Sequence, residues 1–446
     1  MAMDGAMAAE ALAGAVIAKL RAAGHQAYLV GGCVRDLLLE TRPQDFDIAT
    51  DARPDRIMGL FPNSGRVGAS FGVVLVRDVF AQVEVATFRS DHDYDDGRHP
   101  SAVHFESDPR RDVGRRDFTI NGLLMDPETG EVLDYVDGRA DLERRVVRAI
   151  GDPALRFRED HLRLLRAVRF AARLGFTIEP ATFAAIGNNH ALIRTVAAER
   201  VRDELVRILT EGGARRGFEL LDESGLLGDI LPEVAAMKGV AQPPQYHPEG
   251  DVWTHTLLLL EKMENPTVTL ALGALLHDVG KPPAFRVADR IRFDGHVEEG
   301  VRLAHGILTR LRFSRDEMER VEALVANHMR FKDVHRMKES TLKRFLRMPD
   351  FAEHLELHRL DSLSASGRLE NYELAKRKLE EFPEERLRPD PLVTGADLIG
   401  AGYEPGPLFS KMLAAVEDAQ LEGRIHTPGE ALEMVREMFP KEKPQD

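Results

Sequence analysis

At 446 residues, 43% hydrophobic and 30% charged, the chain is long enough for more than one core, and its composition is ordinary for a soluble protein. No run approaches 18 uncharged apolar residues, so no membrane-spanning helix is expected, and the single cysteine, Cys33, excludes an intrachain disulfide. The net charge of −14 argues against a nucleic-acid partner, but the charge is segregated: residues 139–216 hold 16 Arg, no Lys and 10 acidic residues, a local +6 that leaves −20 elsewhere. A segment drawing its positive charge from arginine alone suits planar contacts to bases and phosphates, with salt-bridged helices as the plainer alternative.

The N-terminal MAMDGAMAAEALAGAVIAKL is alanine-rich and amphipathic. Its acidic Asp4 and Glu10 precede the apolar part, the wrong order for a signal peptide; with one cysteine, this predicts a cytoplasmic protein. Up to about residue 137 short strands alternate with helices. Strands are predicted near 27–31, 45–49, 73–77 and 82–87, with a helix over 54–60.

Within this region YLVGGCVRDLLLETRPQDFDIATD (28–51) reads as a strand, a Gly31-Gly32 turn, a short helix opening at Cys33, and a strand bearing Asp45 and Asp47. Glycine lets the backbone approach a phosphate, and free N–H groups at a helix start favour anions. Side chains two apart on a strand share a face, so Asp45 and Asp47 can share a site suited to Mg²⁺ and a triphosphate. On AQVEVATF, Glu84 either completes that site or simply faces solvent. Residues 90–101, SDHDYDDGRHPS, have neither helical nor strand periodicity and are predicted to form a mobile, substrate-handling loop. In RRDFTINGLLMD (115–126), arginines beside a carboxylate site would neutralise triphosphate charge, and Asp117 could N-cap a helix running from Ile120 to Met125.

Beyond Arg139 the pattern turns helical. EDHLRLLRAVRFAAR (159–173) predicts one helix, with Leu164, Leu165, Val168, Ala171 and Ala172 on a packing face. Arg163, Arg166, Arg169 and Arg173 occupy the opposite face, with Asp160 on its border. Asp160 and Arg163, as i,i+3 neighbours, offer an acceptor and a fork of donors that could read a base edge. ERVRDELVRIL (199–209) predicts an amphipathic helix to brace it. After the proline-marked boundary QPPQYHPEGD (242–251), His255 stands in one helix, His277-Asp278 ends another, His296 and His328 follow, and Asp361 lies in HRLDSLSASG. Such a set suits a divalent metal that activates water. The remainder, from about Gly367, is helical and carries no assignable constellation.

LVGGCVRD with DFD, RRDFTINGLL, and EDHLRLLRAVRF, in this order, resemble the bacterial class II tRNA nucleotidyltransferases (CCA-adding enzymes) over residues from about 26 to 438. The resemblance implies an α+β, mixed-sheet nucleotidyltransferase palm as head (1–137) and an all-α neck with nucleotide template and RNA-binding region (138–235). An HD metal-dependent phosphohydrolase body (236–366) and a helical tail along the tRNA elbow (367–446) would follow. It implies Asp45, Asp47 and, less firmly placed, Glu84 as catalytic carboxylates, the first two holding Mg²⁺. Gly32 and Arg35 would contact the triphosphate, and Arg116 and Asp117 the sugar side. Asp160 and Arg163 would read the base, with Arg166 and Arg169 supporting phosphate and template. His255, His277, Asp278 and Asp361 would hold a divalent transition metal or Mg²⁺ for phosphatase, 2′-nucleotidase or 2′,3′-cyclic phosphodiesterase activity. The implied partners are CTP, ATP and the acceptor stem and elbow of tRNA, for a monomer or homodimer.

CC-adding relatives lack a loop like 90–101, so its presence favours an enzyme able to add the terminal A. A-only addition, poly(A) polymerase, an HD phosphohydrolase acting alone and a non-catalytic tRNA-binding protein are the alternatives. Gly122, where related motifs usually carry alanine, changes helix propensity by about 1 kcal/mol.

Overall fold

The computed structural model describes residues 5–66, 72–94, 97, 100–245 and 247–440. It divides into two compact units, Met1–Ala235 with Arg310–Phe313, and Ala236–Thr309 with Ser314–Asp446.

The first unit begins with α1 (Gly5–Ala22), whose Ala13, Val16, Ile17 and Leu20 are buried. The chain continues through β1 (Ala27–Val30), α2 (Gly32–Leu38), β2 (Asp47–Thr50), α3 (Pro54–Leu60), β3 (Ser64–Arg66), β4 (Val73–Arg77) and β5 (Gln82–Thr87). β6 (Arg89–Tyr94), β7 (Pro100–Phe105), α4 (Pro109–Gly114), β8 (Leu123–Met125) and β9 (Val132–Asp134) complete the α+β part. Seven of the strands form one mixed sheet in the order β3-β4-β5-β2-β1-β8-β9. β2 lies parallel to β5 and antiparallel to β1, so the two carboxylate-bearing strands are neighbours. Val30, Ala49, Phe88, Val113 and Leu124 form a core cluster within it.

Three local expectations need correction. Residues 90–101 do not form an irregular loop: β6 pairs antiparallel with β7 as a two-stranded ribbon, residues 95, 96, 98 and 99 lying outside those described. Cross-strand pairing supplied by tertiary context has overridden a local pattern rich in turn formers. Residues 120–125 are not a helix either; a short 3₁₀ turn, Thr119–Asn121, leads directly into β8. Asp117 does not cap it, because its Oδ1 accepts from Phe118 N and Asn121 Nδ2. Gly122 is therefore not a matter of helix propensity. A Cβ there would come within 2.8 Å of Val136, 3.1 Å of Ile150 and 3.2 Å of Val113, so these side chains occupy the space an alanine would need.

The third correction concerns the arginine helix. After α5 (Gly138–Arg144) the chain forms α6 (Pro153–Glu159) and α7 (Arg163–Leu174), with a break at Asp160, whose backbone is extended. Asp160 Oδ1 accepts from Leu162 N at 3.2 Å, the side-chain-to-backbone bond that lets aspartate compete with continuous helix. The apolar face of α7 is buried as predicted, against α9 (Ala198–Thr210) and α10 (Ala214–Glu223), which follow α8 (Pro180–Asn189). Burying each of Leu164 and Leu165 contributes roughly 1.5–3 kcal/mol. The opposite face is not a free arginine surface. Arg163 and Arg169 are buried, and all four arginines meet carboxylates supplied by other segments.

The second unit is helical. Val268–Leu276, VTLALGALL, is apolar but for Thr269, and eight of its nine residues are buried, so its C-terminal end delivers His277-Asp278 into the interior. Val252–Glu261, capped by Asp251, and Phe351–Ser364 pack with it. Further on, Val393, Leu398, Met412, Val416 and Val435 form a separate cluster. Lys343, buried in helix Glu339–Leu346, donates to the Leu421 carbonyl at 2.5 Å and ties that cluster's helix Pro407–Leu421 to the rest of the unit.

Candidate functional site

In the first unit β1 runs into α2 through Gly31, whose φ of 77° favours glycine. A Cβ at Gly31 would lie 3.3 Å from Arg116 Nη1, so the turn also admits a guanidinium close to the backbone. Asp45 is exposed, Phe46 buried and Asp47 half-buried, the alternation of an extended segment, although β2 itself starts only at Asp47. Asp47 stands opposite Glu84 in the parallel register of β2 with β5. Burial pushes the Asp47 carboxyl up, the Glu84 and Asp45 charges add to it and Arg116 opposes it, with a pKa of about 6 as the result. Burial is the larger cause of that rise, and the neighbouring carboxylate charges add to it in a way that a bound cation would offset. Glu84 is exposed on the strand beside Asp47, a position that serves either reading of it.

Arg116 is aimed by Asp112. That carboxylate is fully buried and accepts from Arg115 at 2.6 Å and from Arg116 at 2.9 Å. Burial would raise its pKa, but the two guanidinium charges hold it below the usual range. A second network ties α2 to α7. Arg35 bonds Asp36 Oδ1 and donates to Asn121 Oδ1 at 2.7 Å; Asn121 donates to Asp117, and Asp117 Oδ2 accepts from Arg166 at 2.6 Å. Burial would raise the Asp117 pKa, but Arg166 lowers it to about 2. Arg35, Arg166 and Arg169 all lie over the Phe170 ring, at 5.2, 5.3 and 4.3 Å.

At the α6–α7 break, Asp160 accepts from Arg200 at 3.3 Å. Arg163 Nη1 donates to Glu159 at 2.9 Å, and its Nη2 to the Arg115 carbonyl at 2.7 Å. Both side chains are thus held by neighbours in the free protein. Arg35 and Arg169, each 3% exposed, are not brought to an open face; Arg169 pairs with Glu204 at 2.6 Å. Sequence reasoning missed Asp112, Asn121, Glu159, Arg200 and Glu204. Glu159, four residues before Arg163, was the one readable signal.

In the second unit three groups offer ligand atoms within 4.8 Å of one another: His247, Glu249 and His255, and two triads drawn from the sequence-predicted set, His255, His277 and Asp361, and Asp278, His296 and His328. Among the described residues, all such groups belong to this unit, and the three head carboxylates do not close to that distance. His277, His296 and His328 each donate Nδ1–H to the carbonyl three residues earlier, and their buried Nε2 atoms have no hydrogen-bond partner. Orphaned, converging imidazole nitrogens beside carboxylates fit a divalent cation. His296 and His328, which the sequence places in the segment without assigning, thus join Asp278. Adjacent His277 and Asp278 link the triads, with His277 Nε2 3.2 Å from Asp278 Oδ2. Lys281 closes on the same carboxylate at 2.6 Å; burial opposes ionisation of Asp278, but Lys281 and the imidazoles hold its pKa far down. His255 Nε2 sits 3.0 Å from Asp361 Oδ1. Burial lowers the His255 pKa, but bonds to Asp361 and Glu249 raise it to about 9, whereas burial takes His328 to about 4.

Residues 27–148 match the poly A polymerase head domain, 175–238 the family described as "Probable RNA and SrmB- binding site of polymerase A", and 251–366 the HD domain. The chain is 39% identical over 250 residues to the CCA-adding enzyme of Lactobacillus johnsonii, covering 55% of this chain and 63% of that one. It is 46% identical over 211 residues to that of Levilactobacillus brevis, covering 47% and 53%. The matched stretch therefore spans less than two thirds of these curated relatives. The fold extends further: it is similar to the Bacillus stearothermophilus CCA-adding enzyme, solved in complex with CTP, with a TM-score of 0.74, 26% identity, and coverage of 96% of this chain and 97% of that one. The chain carries a poly A polymerase head domain and an HD domain, and is similar to CCA-adding enzymes in sequence and fold. A Thermotoga maritima CCA-adding enzyme complexed with tRNA shares the fold at 19% identity and a TM-score of 0.60, over 96% and 95% of the two chains. The mixed-sheet head and helical remainder are the architecture expected from the sequence. No helix among the described residues is long and apolar enough to cross a membrane.

Proposed function

We propose that the protein adds CMP and AMP to the 3′ end of tRNA without a nucleic-acid template, using CTP and ATP. The observation that carries this reading is the parallel register that sets Asp47 opposite Glu84, with Asp45 two residues before it, a group of carboxylates whose charges a cation would neutralise. Asp45 and Asp47 would hold Mg²⁺, which supplies charge stabilisation in phosphoryl transfer. The terminal ribose hydroxyl attacks the α-phosphate of the nucleotide, the bond to the β-phosphate breaks, and pyrophosphate leaves. Gly31 and Gly32 leave room for the triphosphate, and Arg116, aimed by Asp112, meets its negative charge. Asp117 orients the sugar side from its bond to Arg166.

Base choice is read by Asp160 and Arg163, set in place by Arg200 and Glu159 before a nucleotide arrives. Arg166 supports the template from its place over Phe170. Head 1–137, neck 138–235, HD body 236–366 and tail 367–446 divide this work, with the tail along the tRNA elbow. The segment 90–101, whose described residues pair as a ribbon, supports addition of the terminal A.

A second activity is supported by the two triads: hydrolysis of 2′-phosphate or 2′,3′-cyclic phosphate ends. The HD-site ligands would hold a divalent cation, which supplies an activated water when bound. Incubation of tRNA lacking its 3′ end with CTP alone, ATP alone and both, followed by sequencing, tests the main reading. CC, no addition, and CCA are the expected products; A alone from ATP on a tRNA ending in CC, with no use of CTP, would reduce it to A addition.

A further inference from the structure

Three of the four histidines in the HD centre are oriented alike. His277, His296 and His328 donate Nδ1–H to Ala274, Phe293 and Val325 at 2.9, 2.8 and 2.7 Å, each a neutral carbonyl on the same stretch of chain. His255 is different. Its Nδ1 faces Glu249 Oε1 at 2.8 Å, on the segment ahead of its helix. The same oxygen lies 2.9 Å from His247 Nδ1. An ionised carboxylate only accepts, so both rings carry their proton on Nδ1. His255 is then obliged to present Nε2 toward His277 and Asp361.

Glu249 is not an incidental surface charge. Its side chain is 7% exposed, and its second oxygen is buried without a hydrogen-bond partner. The His255 ring is completely buried. Burial favours the neutral acid, but the bonds to His255 and His247 hold the Glu249 pKa below the usual range. The segment carrying it is fastened at both ends. Gln242 accepts from Lys281 at 2.6 Å, and Asp251 accepts from Gly239 N at 2.6 Å while capping the helix of His255 through Thr254 N at 2.8 Å. Glu249 is therefore carried on a frame anchored to the HDVGK lysine and to the helix whose histidine it addresses.

We propose that Glu249 is a positioning residue of the HD centre: it fixes the tautomer and angle of His255 and makes that nitrogen a stronger donor than its three carbonyl-backed neighbours. Carboxylate–histidine pairs of this kind raise ligand basicity and hold metal affinity up by about 10- to 100-fold. The two triads are consequently unequal, and the position formed by His255, His277 and Asp361 fills before that of Asp278, His296 and His328. This rests on the reading of the centre as a divalent-metal site.

The test uses the full chain carrying Asp45→Asn and Asp47→Asn, which removes the head carboxylate pair, with Mn²⁺ as the probe and free Mn²⁺ counted by electron paramagnetic resonance. Glu249→Leu fills the volume without an acceptor, and Glu249→Gln keeps a neutral one. The expected result is about 10- to 100-fold weaker binding at the tighter position in Glu249→Leu, a smaller loss in Glu249→Gln, and an unchanged weaker position. Metal-free melting separates this from general damage, and ¹⁵N shifts of His255 read its tautomer directly. Unchanged Mn²⁺ affinity in folded Glu249→Leu would overturn the proposal. So would a His255 protonated only on Nε2 in the metal-free parent, a reading that stands even where Glu249→Leu does not fold. No Mn²⁺ binding by the parent would instead remove the metal reading, leaving the tautomer measurement to judge the hydrogen bond alone.

Discussion

Asp47 faces Glu84 across parallel strands, and that register adds the Glu84 charge to the burial that raises the Asp47 pKa. Because the folded-state pKa of Asp47 is raised to about 6, the folded protein binds its proton more tightly than the unfolded chain does. The resulting stability is fully present below the ordinary value of 3.8 and is lost as pH rises through about 6. Under the proposed function, protons would compete with a cation for this carboxylate. Below pH 6 the apparent Mg²⁺ requirement of nucleotide addition should rise by about tenfold per unit, and Mg²⁺ titrations of activity between pH 5 and 8 would measure it. A requirement independent of pH would separate Asp47 from the cation site.

Asp117 has the opposite sign. Its pKa, lowered to about 2, makes its contribution present above 3.8 and lost as pH falls toward 2. Asp117→Asn leaves Arg166 short of its closest carboxylate, and Arg166 retains only Glu204 at 3.9 Å. About 3 kcal/mol is expected to be lost near pH 7, the low end for a broken buried pair because the Arg166 side chain is 31% exposed. Urea denaturation at pH 7 and pH 3 should show the gap between variant and parent narrowing with acid.

Arg163 is fixed by Glu159 and the Arg115 carbonyl, so its guanidinium is ordered before nucleotide binding. Arg163→Ala should scramble CTP, ATP and UTP preference more than it weakens tRNA binding, as read by sequencing of products and a binding isotherm. Each good paired contact carries about 1–3 kcal/mol of discrimination between bases. Unchanged selectivity with collapsed tRNA binding would leave α7 as an RNA-binding surface alone.

His277 belongs to one triad and adjoins the other through Asp278. His277→Ala should abolish hydrolysis of 2′,3′-cyclic phosphate ends and leave nucleotide addition intact in assays supplemented with divalent metals. Loss of both activities would mean that the substitution acts through the fold.

What the sequence disclosed was whatever depends on local periodicity. Gly31-Gly32, the alternation Asp45-Phe46-Asp47, the apolar face of α7 and the helix that ends at His277-Asp278 all appear where spacing predicts them. What it concealed depends on partners far away in the chain. The arginine face of α7 looked free because Asp117, Glu204 and Glu211, which neutralise it, lie on other elements. The β6–β7 ribbon is held by cross-strand bonds that its turn-forming residues do not announce. Asp160 broke a helix that hydrophobic spacing alone would continue, through one bond to Leu162 N. Glu249 reads as part of a proline-rich boundary, and only folding brings it beneath His255.

The most direct measurement is nucleotide incorporation into tRNA lacking its 3′ end by the parent chain and by Asp45→Ala and Asp47→Ala, with folding followed by circular dichroism. CCA addition by the parent, and none by either folded variant, is the predicted result. Full incorporation by either variant would contradict the assignment of catalysis to this pair of carboxylates.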